Sequence, residues 1–256
     1  MVDYNWDRIA KHYRRYRPGP PRSHYDLLRC FGLGLPGQQI LDLGTGPGLL
    51  ACQFARQGAQ VVGIDSSAGQ IEQARLSARK KGLDVSFLVA AAEELPQLAR
   101  PIDLAVACMC WGSFDQSRVL ERLIPQMVGT GQLVLSTFCW LTDNRAGRLT
   151  LELLTELGIA LQHDTRRPLG QHPRANDPRL KIRAMIHYEE PIAFDLDAWI
   201  GRILASRKLS MLDEETSRNL ARQLREHLAR RCGEQFSINH GIEIQIYGLS
   251  SRSATA

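Results

Sequence analysis

The most constraining stretch of the 256-residue chain is Gln39-Ile-Leu-Asp-Leu-Gly-Thr-Gly-Pro-Gly48. Ile40, Leu41 and Leu43 form a short apolar run that stops at glycines, the pattern of a buried parallel strand breaking into a tight turn. Gly44, Gly46 and Gly48 fall at alternate positions, so the backbone can bend sharply and a ligand can come close. Leu49 to Gln57 then predicts an amphipathic helix, closed by Gly58 at its C′ position. A strand, a glycine turn and a helix place a nucleotide-like ligand at the carboxyl end of a parallel sheet.

The spacing narrows the choice of nucleotide. A dinucleotide site usually carries G-x-G-x-x-G, whose amides hold a pyrophosphate at the helix start. Here the pattern is G-x-G-x-G, and Pro47 removes one amide donor. Asp42 sits two positions before the first glycine, where a carboxylate suits a ligand bearing positive charge better than one bearing phosphates. S-adenosylmethionine, with a sulfonium and an amine but no phosphate, meets that requirement. Gln60-Val-Val-Gly-Ile-Asp65 reads as a second strand ending in an acid. Asp65 lies 21 residues beyond Gly44, about where an acid accepts hydrogen bonds from ribose hydroxyls.

Asp42-Leu-Gly-Thr-Gly-Pro-Gly48 together with Asp65 resembles the cofactor signature of class I S-adenosylmethionine-dependent methyltransferases. More narrowly it is similar to the small-molecule branch that includes trans-aconitate and ubiquinone/menaquinone-pathway enzymes. The resemblance implies a Rossmann-like α/β fold. Its seven-stranded, mostly parallel sheet would have helices on both faces, an antiparallel last strand and a helical cap insertion. It implies S-adenosylmethionine as cofactor and S-adenosylhomocysteine as product. The expected cofactor residues are Asp42, Gly44, Thr45, Gly46, Gly48, Asp65, Ser66 and Cys108. Tyr13-Arg-Arg-Tyr-Arg17-Pro18 resembles the family's Y-x-x-x-R-P segment, by which Tyr13 and Arg17 would cap the methionine moiety; the alternative is a packed Tyr13 and a solvated Arg17.

Two departures from the family pattern stand out. Relatives carry G-D-A after strand three, where an aspartate receives the adenine amino group, and this chain has Ala91 there. The amide of Ala92 and the carboxylate of Glu93 are the expected substitutes. Relatives also carry H-W-F-D after strand four; Phe114 and Asp115 match, but Gly112 and Ser113 replace the first two residues. Trp111 is expected to face the sulfonium or the substrate by cation–π contact, or else to be a core aromatic. Phe114 and Trp199 complete the expected substrate contacts.

The chain is long enough for one large α/β domain with an insertion. The expected division is a capping segment over 1–35, a cofactor core over 36–140, a substrate cap over 141–232 and a final strand and tail over 233–256. Hydrophobic content of 44% and charged content of 23% are ordinary for a globular protein. No apolar run approaches the roughly 20 residues that span a bilayer. Six scattered cysteines without a C-x-x-C pair read as reduced thiols in a cytoplasmic protein. The net charge of +5 is concentrated in two segments. Arg218, Arg222, Arg225, Arg230 and Arg231 read as a solvated helix face. Arg166, Arg167, Arg174, Arg179, Lys181 and Arg183 are placed to favour an acidic small-molecule substrate. Neither segment has the aromatic interleaving of a nucleic-acid surface, so nucleic acid is disfavoured as a partner. A monomer or homodimer is expected.

Further elements follow the same signals. A short helix is expected over Ser23 to Phe31, and a second from an N-cap at Ser67 to Lys81. The helix after Asp115 is expected to run to Val128, with Gly129-Thr-Gly131 turning into a fifth strand over Gln132 to Phe138. A helix over 144–159, a loop over 165–179 and a sixth strand over 182–194 follow. Helices from Asp195 and over 214–231 precede a last strand over 236–249, at or near the sheet edge. The loop after strand four lacks the [DN]-P-P-[YFW] of adenine N-methyltransferases, and Cys110 lacks the context of a cytosine C5 nucleophile. Asp143-Asn144 lacks the partner acid that a metal would need, so no metal is expected. Methyl transfer from a sulfonium demands mainly positioning. His163, His172, His187 and His240 are candidate bases, and His172 is preferred. An RNA or protein methyltransferase and a non-catalytic cofactor-binding regulator are the alternatives.

Overall fold

In a computed structural model of the chain, the described residues are 10, 12, 14–159, 173–206 and 208–250. Seven strands form one sheet in the order β3-β2-β1-β4-β5-β7-β6. Their ranges are Gln39–Leu43 (β1), Gln60–Asp65 (β2), Ser86–Val89 (β3), Ile102–Cys108 (β4), Met127–Trp140 (β5), Leu180–Asp195 (β6) and Gln235–Leu249 (β7). The pairs β1/β2, β2/β3, β1/β4 and β4/β5 are parallel, while β7 is antiparallel, as the resemblance implies. The two outermost positions belong to β3 and β6. β7 lies between β5 and β6, one strand in from the edge.

The chain divides into two compact units, and β5, β6 and β7 each contribute residues to both. The sheet unit takes its described residues from 19–137, 169–187 and 243–256. Its helices are α1 (Arg22–Cys30), α2 (Leu49–Arg56), α3 (Ala68–Lys80) and α4 (Gln116–Leu123). Leu41, Leu43 and Ile64 pack with Ala105, Leu133, Leu135, Val119 and Leu123 into one core cluster. The caps that the sequence signals are present: Ser67 accepts the Gln70 amide at the start of α3, and Asp115 accepts the Arg118 amide at the start of α4. α4 stops at Leu123 rather than reaching Val128. Pro125 has no amide to continue the ladder, so a short 3₁₀ turn over Ile124–Gln126 replaces the last turn. Gly129 to Gly131 then belong to β5 itself, which pairs with β4 from Ile102↔Met127 onward through a register shift.

The helical unit takes its described residues from 1–18, 138–168 and 188–242, a partition unlike the expected cap over 141–232. It holds α5 (Arg145–Glu156), α6 (Leu196–Leu204) and α7 (Glu214–Cys232), capped by Asn144, Asp195 and Asp213. Its core gathers Trp140, Leu154, Phe194, Trp199, Leu224, Leu228 and Ile238. The N-terminal segment docks on α6: a Cβ on Gly201 would lie 2.3 Å from Tyr16 Cδ1, and a ring nitrogen of His12 is 3.2 Å from the Gly201 carbonyl oxygen. Arg225 of α7 bridges Asp197 and Glu234, in keeping with the expected solvated basic face. Among the described residues no helix is long and apolar enough to cross a membrane.

Candidate functional site

The site forms where β1, β2 and β4 end side by side, Leu43 pairing with both Ile64 and Ala107. Asp42 is buried and accepts a 2.6 Å hydrogen bond from Thr45 Oγ1. Burial pushes its carboxyl up to about 7, against the pull of bonds from Thr45 and the Ala51 amide. The Thr45 amide donates to the Ile64 carbonyl at 2.8 Å. The hydroxyl and the amide of Thr45 are therefore both engaged within the protein, and Asp42 with Thr45 serves as an internal brace for the glycine turn. The brace needs room. Gly63 pairs directly with Asp42 across the strands, and a Cβ there would come within 2.8 Å of Thr45 Oγ1.

The three loop glycines have different surroundings, though all are left-handed. A Cβ on Gly44 would strike Cys110 Sγ at 2.9 Å, and one on Gly48 would strike Ala74 and Phe87 at 3.0 Å. At Gly46, among the described residues beyond its chain neighbours, only Gln70 Oε1 comes within 4.0 Å of the added Cβ, so the turn opens there. Asp65, at the end of β2, receives the Gly46 amide on Oδ2 and the Ser67 amide on Oδ1, each at 2.9 Å. Ser66 beside it is exposed. The two motifs that the sequence places 21 residues apart thus meet in one hydrogen bond.

Opposite the turn, Ala92 begins a buried 3₁₀ turn, and Glu93 Oε1 accepts the Asp115 amide at 2.8 Å. Glu93 therefore fastens the loop after β3 to the start of α4. Cys108 ends β4, half-buried, and is followed by Met109, which takes the left-handed conformation at φ 63°. The Cys110 thiol donates to the Leu43 carbonyl at 3.1 Å, and burial raises its pKa well above normal, so it is no nucleophile.

Two of the expected substrate contacts face elsewhere. Trp111 is 4% exposed, packs edge-on against Phe114 and donates its indole N–H to the Arg174 carbonyl. It belongs to the core of the sheet unit, which leaves half-buried Phe114 as the aromatic beside the turn. Trp199 is wholly buried in the helical unit, against Trp140, Phe194 and Phe236, with its N–H on Thr150 Oγ1 at 2.9 Å. It has no surface to offer a substrate; an indole is the largest apolar filler available, and the helical core claims it. Asn144 caps α5 instead of facing a metal. Arg17 is half-buried, while Tyr13 and His172 lie outside the described residues. Among the described residues no cluster of His, Cys, Asp or Glu could hold a metal ion.

Two features escaped the sequence reading. One is Gln70, 2% exposed, whose Oε1 has no hydrogen-bond partner and faces Gly46; its signal was a glutamine on the core-facing stripe of α3. The other is a polar ladder on β7. The Ala175 amide donates to Tyr247 OH, Tyr247 OH to Gln245 Oε1, and Gln245 Nε2 to Glu243 Oε1. All three side chains are nearly inaccessible, and every bond points toward the Glu243 carboxylate. A separate cleft of about 770 Å³ opens at the amino ends of the strands, lined by Gln39, Val61, Ser86 and Arg100, and it contains none of these groups.

Residues 40–128 match the family of methyltransferase domains. Over 104 residues the chain is 38% identical to the ubiquinone biosynthesis O-methyltransferase of Alkalilimnicola ehrlichii, covering 41% of each protein. The protein of the same name from Dinoroseobacter shibae is 45% identical over 107 residues, which cover 38% of this chain and 43% of that protein. The chain therefore spans about two fifths of the length of these curated relatives. A putative type II methyltransferase from Anaeromyxobacter dehalogenans superposes with a TM-score of 0.58 at 20% identity, over 90% of this chain and 97% of that one. An S-adenosylmethionine-dependent methyltransferase from Geobacter sulfurreducens, solved with S-adenosylhomocysteine, gives 0.51 at 21% identity, over 96% and 99%. Likeness at this level of identity establishes the fold.

Proposed function

Since residues 40–128 belong to the class I S-adenosylmethionine-dependent methyltransferases, we propose that this chain transfers a methyl group from that cofactor to a small-molecule acceptor. The observation that carries the reading is the meeting of Asp65 with Gly46 at the open point of the glycine turn. The acceptor atom is an oxygen or nitrogen nucleophile. The O-methyltransferase relatives favour oxygen.

The residues present suit the cofactor. When bound, it supplies a methyl group on a sulfonium that is already a good leaving group, so the protein's work is positioning and desolvation. Asp65 brings a carboxylate, an acceptor suited to ribose hydroxyls, to the edge of the turn. Asp42 lends negative potential beneath the turn, favourable to the cofactor's cationic groups. Gly44, Gly46 and Gly48 line the approach; Ala92, Glu93, Ser66 and Cys108 stand around it, and Tyr13 and Arg17 cap it. Phe114 lines the acceptor side.

A hydroxyl acceptor must lose a proton, and His172 is the base in this reading. His187 is exposed on β6 and His240 is buried in the helical unit. An acidic acceptor is favoured by exposed Arg174, Lys181 and Arg183; Arg179 is already neutralised by a bidentate pair with Asp177. The protein acts in the cytoplasm, as a monomer or homodimer.

Calorimetric titration with S-adenosylmethionine, S-adenosylhomocysteine and, separately, NADH tests the reading. Micromolar binding of the first two and none of the third is expected. Failure to bind either, or tighter binding of NADH, overturns it. A mass-spectrometric screen of hydroxylated and acidic small molecules for a 14-dalton gain then identifies the acceptor; His172→Ala should lower turnover and leave S-adenosylhomocysteine affinity unchanged.

A further inference from the structure

Gln70 is a polar side chain held in a place where the protein gives its carbonyl oxygen nothing to do. It lies on the first turn of α3, its backbone amide capped by Ser67 Oγ at 3.0 Å, and the residue is 2% exposed. Its Oε1 atom is buried without a donor. An acceptor in that condition costs folding free energy comparable to a lost hydrogen bond. Such a cost is commonly met at sites where a ligand completes the bonding.

The direction of Oε1 identifies the ligand group. Among the described residues, its neighbours in the chain aside, it is the one atom within 4.0 Å of a Cβ placed on Gly46, the open position of the turn. Asp65 Oδ2 reaches the same residue from β2, through the Gly46 amide at 2.9 Å. Two acceptors from adjacent elements, one neutral and one carboxylate, therefore converge on a single glycine. Acceptors side by side call for donors side by side, and a vicinal diol supplies them: each hydroxyl gives one proton, one to each acceptor.

We propose that Gln70 Oε1 accepts a hydrogen bond from one ribose hydroxyl of the bound nucleoside while Asp65 accepts from the other, making Gln70 a cofactor-binding residue of this chain. The inference rests on the S-adenosylmethionine reading above. It predicts that Gln70→Met, which conserves volume and removes the acceptor, separates two quantities that a packing role would move together. The variant should melt at the same or a higher temperature, because a buried orphan acceptor is gone. Its affinity for S-adenosylhomocysteine should fall about three- to tenfold, the ordinary worth of one such bond.

The experiment is calorimetric titration of the full chain and of Gln70→Met with S-adenosylhomocysteine and with its 2′-deoxy and 3′-deoxy analogues, alongside thermal melts. One deoxy analogue should bind Gln70→Met as well as the parent does, while losing affinity for the unaltered chain. Equal affinities of the two proteins for S-adenosylhomocysteine would overturn the assignment and leave the cofactor reading standing. An affinity loss in the variant that is the same for the parent and both analogues would also overturn it, since the contact would not be to ribose. Failure of the unaltered chain to bind S-adenosylhomocysteine at all would remove the cofactor reading and this inference with it.

Discussion

The Oδ2 atom of Asp65 accepts the amide hydrogen of Gly46 at 2.9 Å, joining the end of β2 to the middle of the glycine turn that follows β1. The other oxygen holds the Ser67 amide at the start of α3. One carboxylate thus sets the turn and the N-cap of the next helix against each other, before any ligand arrives.

Asp65→Asn should keep the fold, since an amide oxygen can still accept one of the two bonds, yet weaken S-adenosylhomocysteine binding by at least tenfold. Gly46→Val should weaken it further: the left-handed backbone at φ 53° strains any β-branched residue, and its side chain fills the opening. Calorimetry checks both, with circular dichroism to verify folding. Affinity within threefold of the parent in both variants would dismiss the site.

Cofactor affinity should rise with pH through neutrality. Asp42 is held up to about 7 by burial, so near pH 6 it is mostly protonated and lends no negative potential to the turn. Above 7 it is ionised and attracts the cofactor's cationic groups. For stability the sign is opposite: the unfolded carboxyl titrates near the ordinary value, so the folded state is penalised as pH rises from about 4 through 7. Asp42→Asn should abolish the pH dependence of affinity in titrations between pH 6 and 8. A slope identical to the parent's would assign it to another group.

His24 pulls stability the other way over the same window. Both its ring nitrogens are buried without partners, and burial lowers its pKa to about 4. The unfolded histidine protonates near 6.5, so stability is full above that pH and is lost as pH falls from 6.5 toward 4. The loss amounts to about 3 kcal/mol by linkage. His24→Phe should remove it, and the gain over the parent should grow steadily between pH 7 and 4.5 in denaturant titrations. A pH-independent difference would count against the assignment.

Gly201→Ala in α6 should destabilise, against the usual gain of up to about 1 kcal/mol for that exchange within a helix. The new methyl would overlap the Tyr16 ring, and overpacking of that kind costs about 1–3 kcal/mol. Tyr16→Ala should make the same substitution favourable. A double-mutant cycle in thermal melts gives the answer, and additive effects would mean that Tyr16 and Gly201 do not touch in solution.

Tyr247→Phe should lower stability by about 1–3 kcal/mol, because Gln245 Oε1 loses its donor and the Ala175 amide its acceptor in a buried setting. Gln245→Leu in that background should cost more again, since it also removes the Nε2–H donor of buried Glu243. Urea titration measures both.

The sheet and its ligand edge were readable because they rest on short-range rules. Gly44, Gly46 and Gly48 are all left-handed, and Ser67 and Asp115 both cap helices. What escaped depends on contacts far apart in sequence. Trp199 at the start of a helix in a variable region is as compatible with a substrate wall as with a core, and only Trp140, Phe194 and Phe236 decide it. Alternation over Ile242, Glu243, Ile244, Gln245 and Ile246 reads as one wet face and one dry. The structure buries both faces, and the polar residues on the second face bond to one another. Gln70 resembled any helix glutamine until the glycine turn was folded against it.

Three of the boundaries between the two units, those between residues 137 and 138, 187 and 188, and 242 and 243, fall inside strands rather than loops. A different helical unit could not be spliced onto this scaffold at its turns alone. Those three junctions would have to be cut in mid-strand, where a slip of one residue sends every side chain beyond it to the opposite face. Natural exchange of substrate range in such a chain is therefore expected to proceed by point substitution and loop lengthening, and a laboratory chimera should preserve strand register at all three joints before any choice of helices.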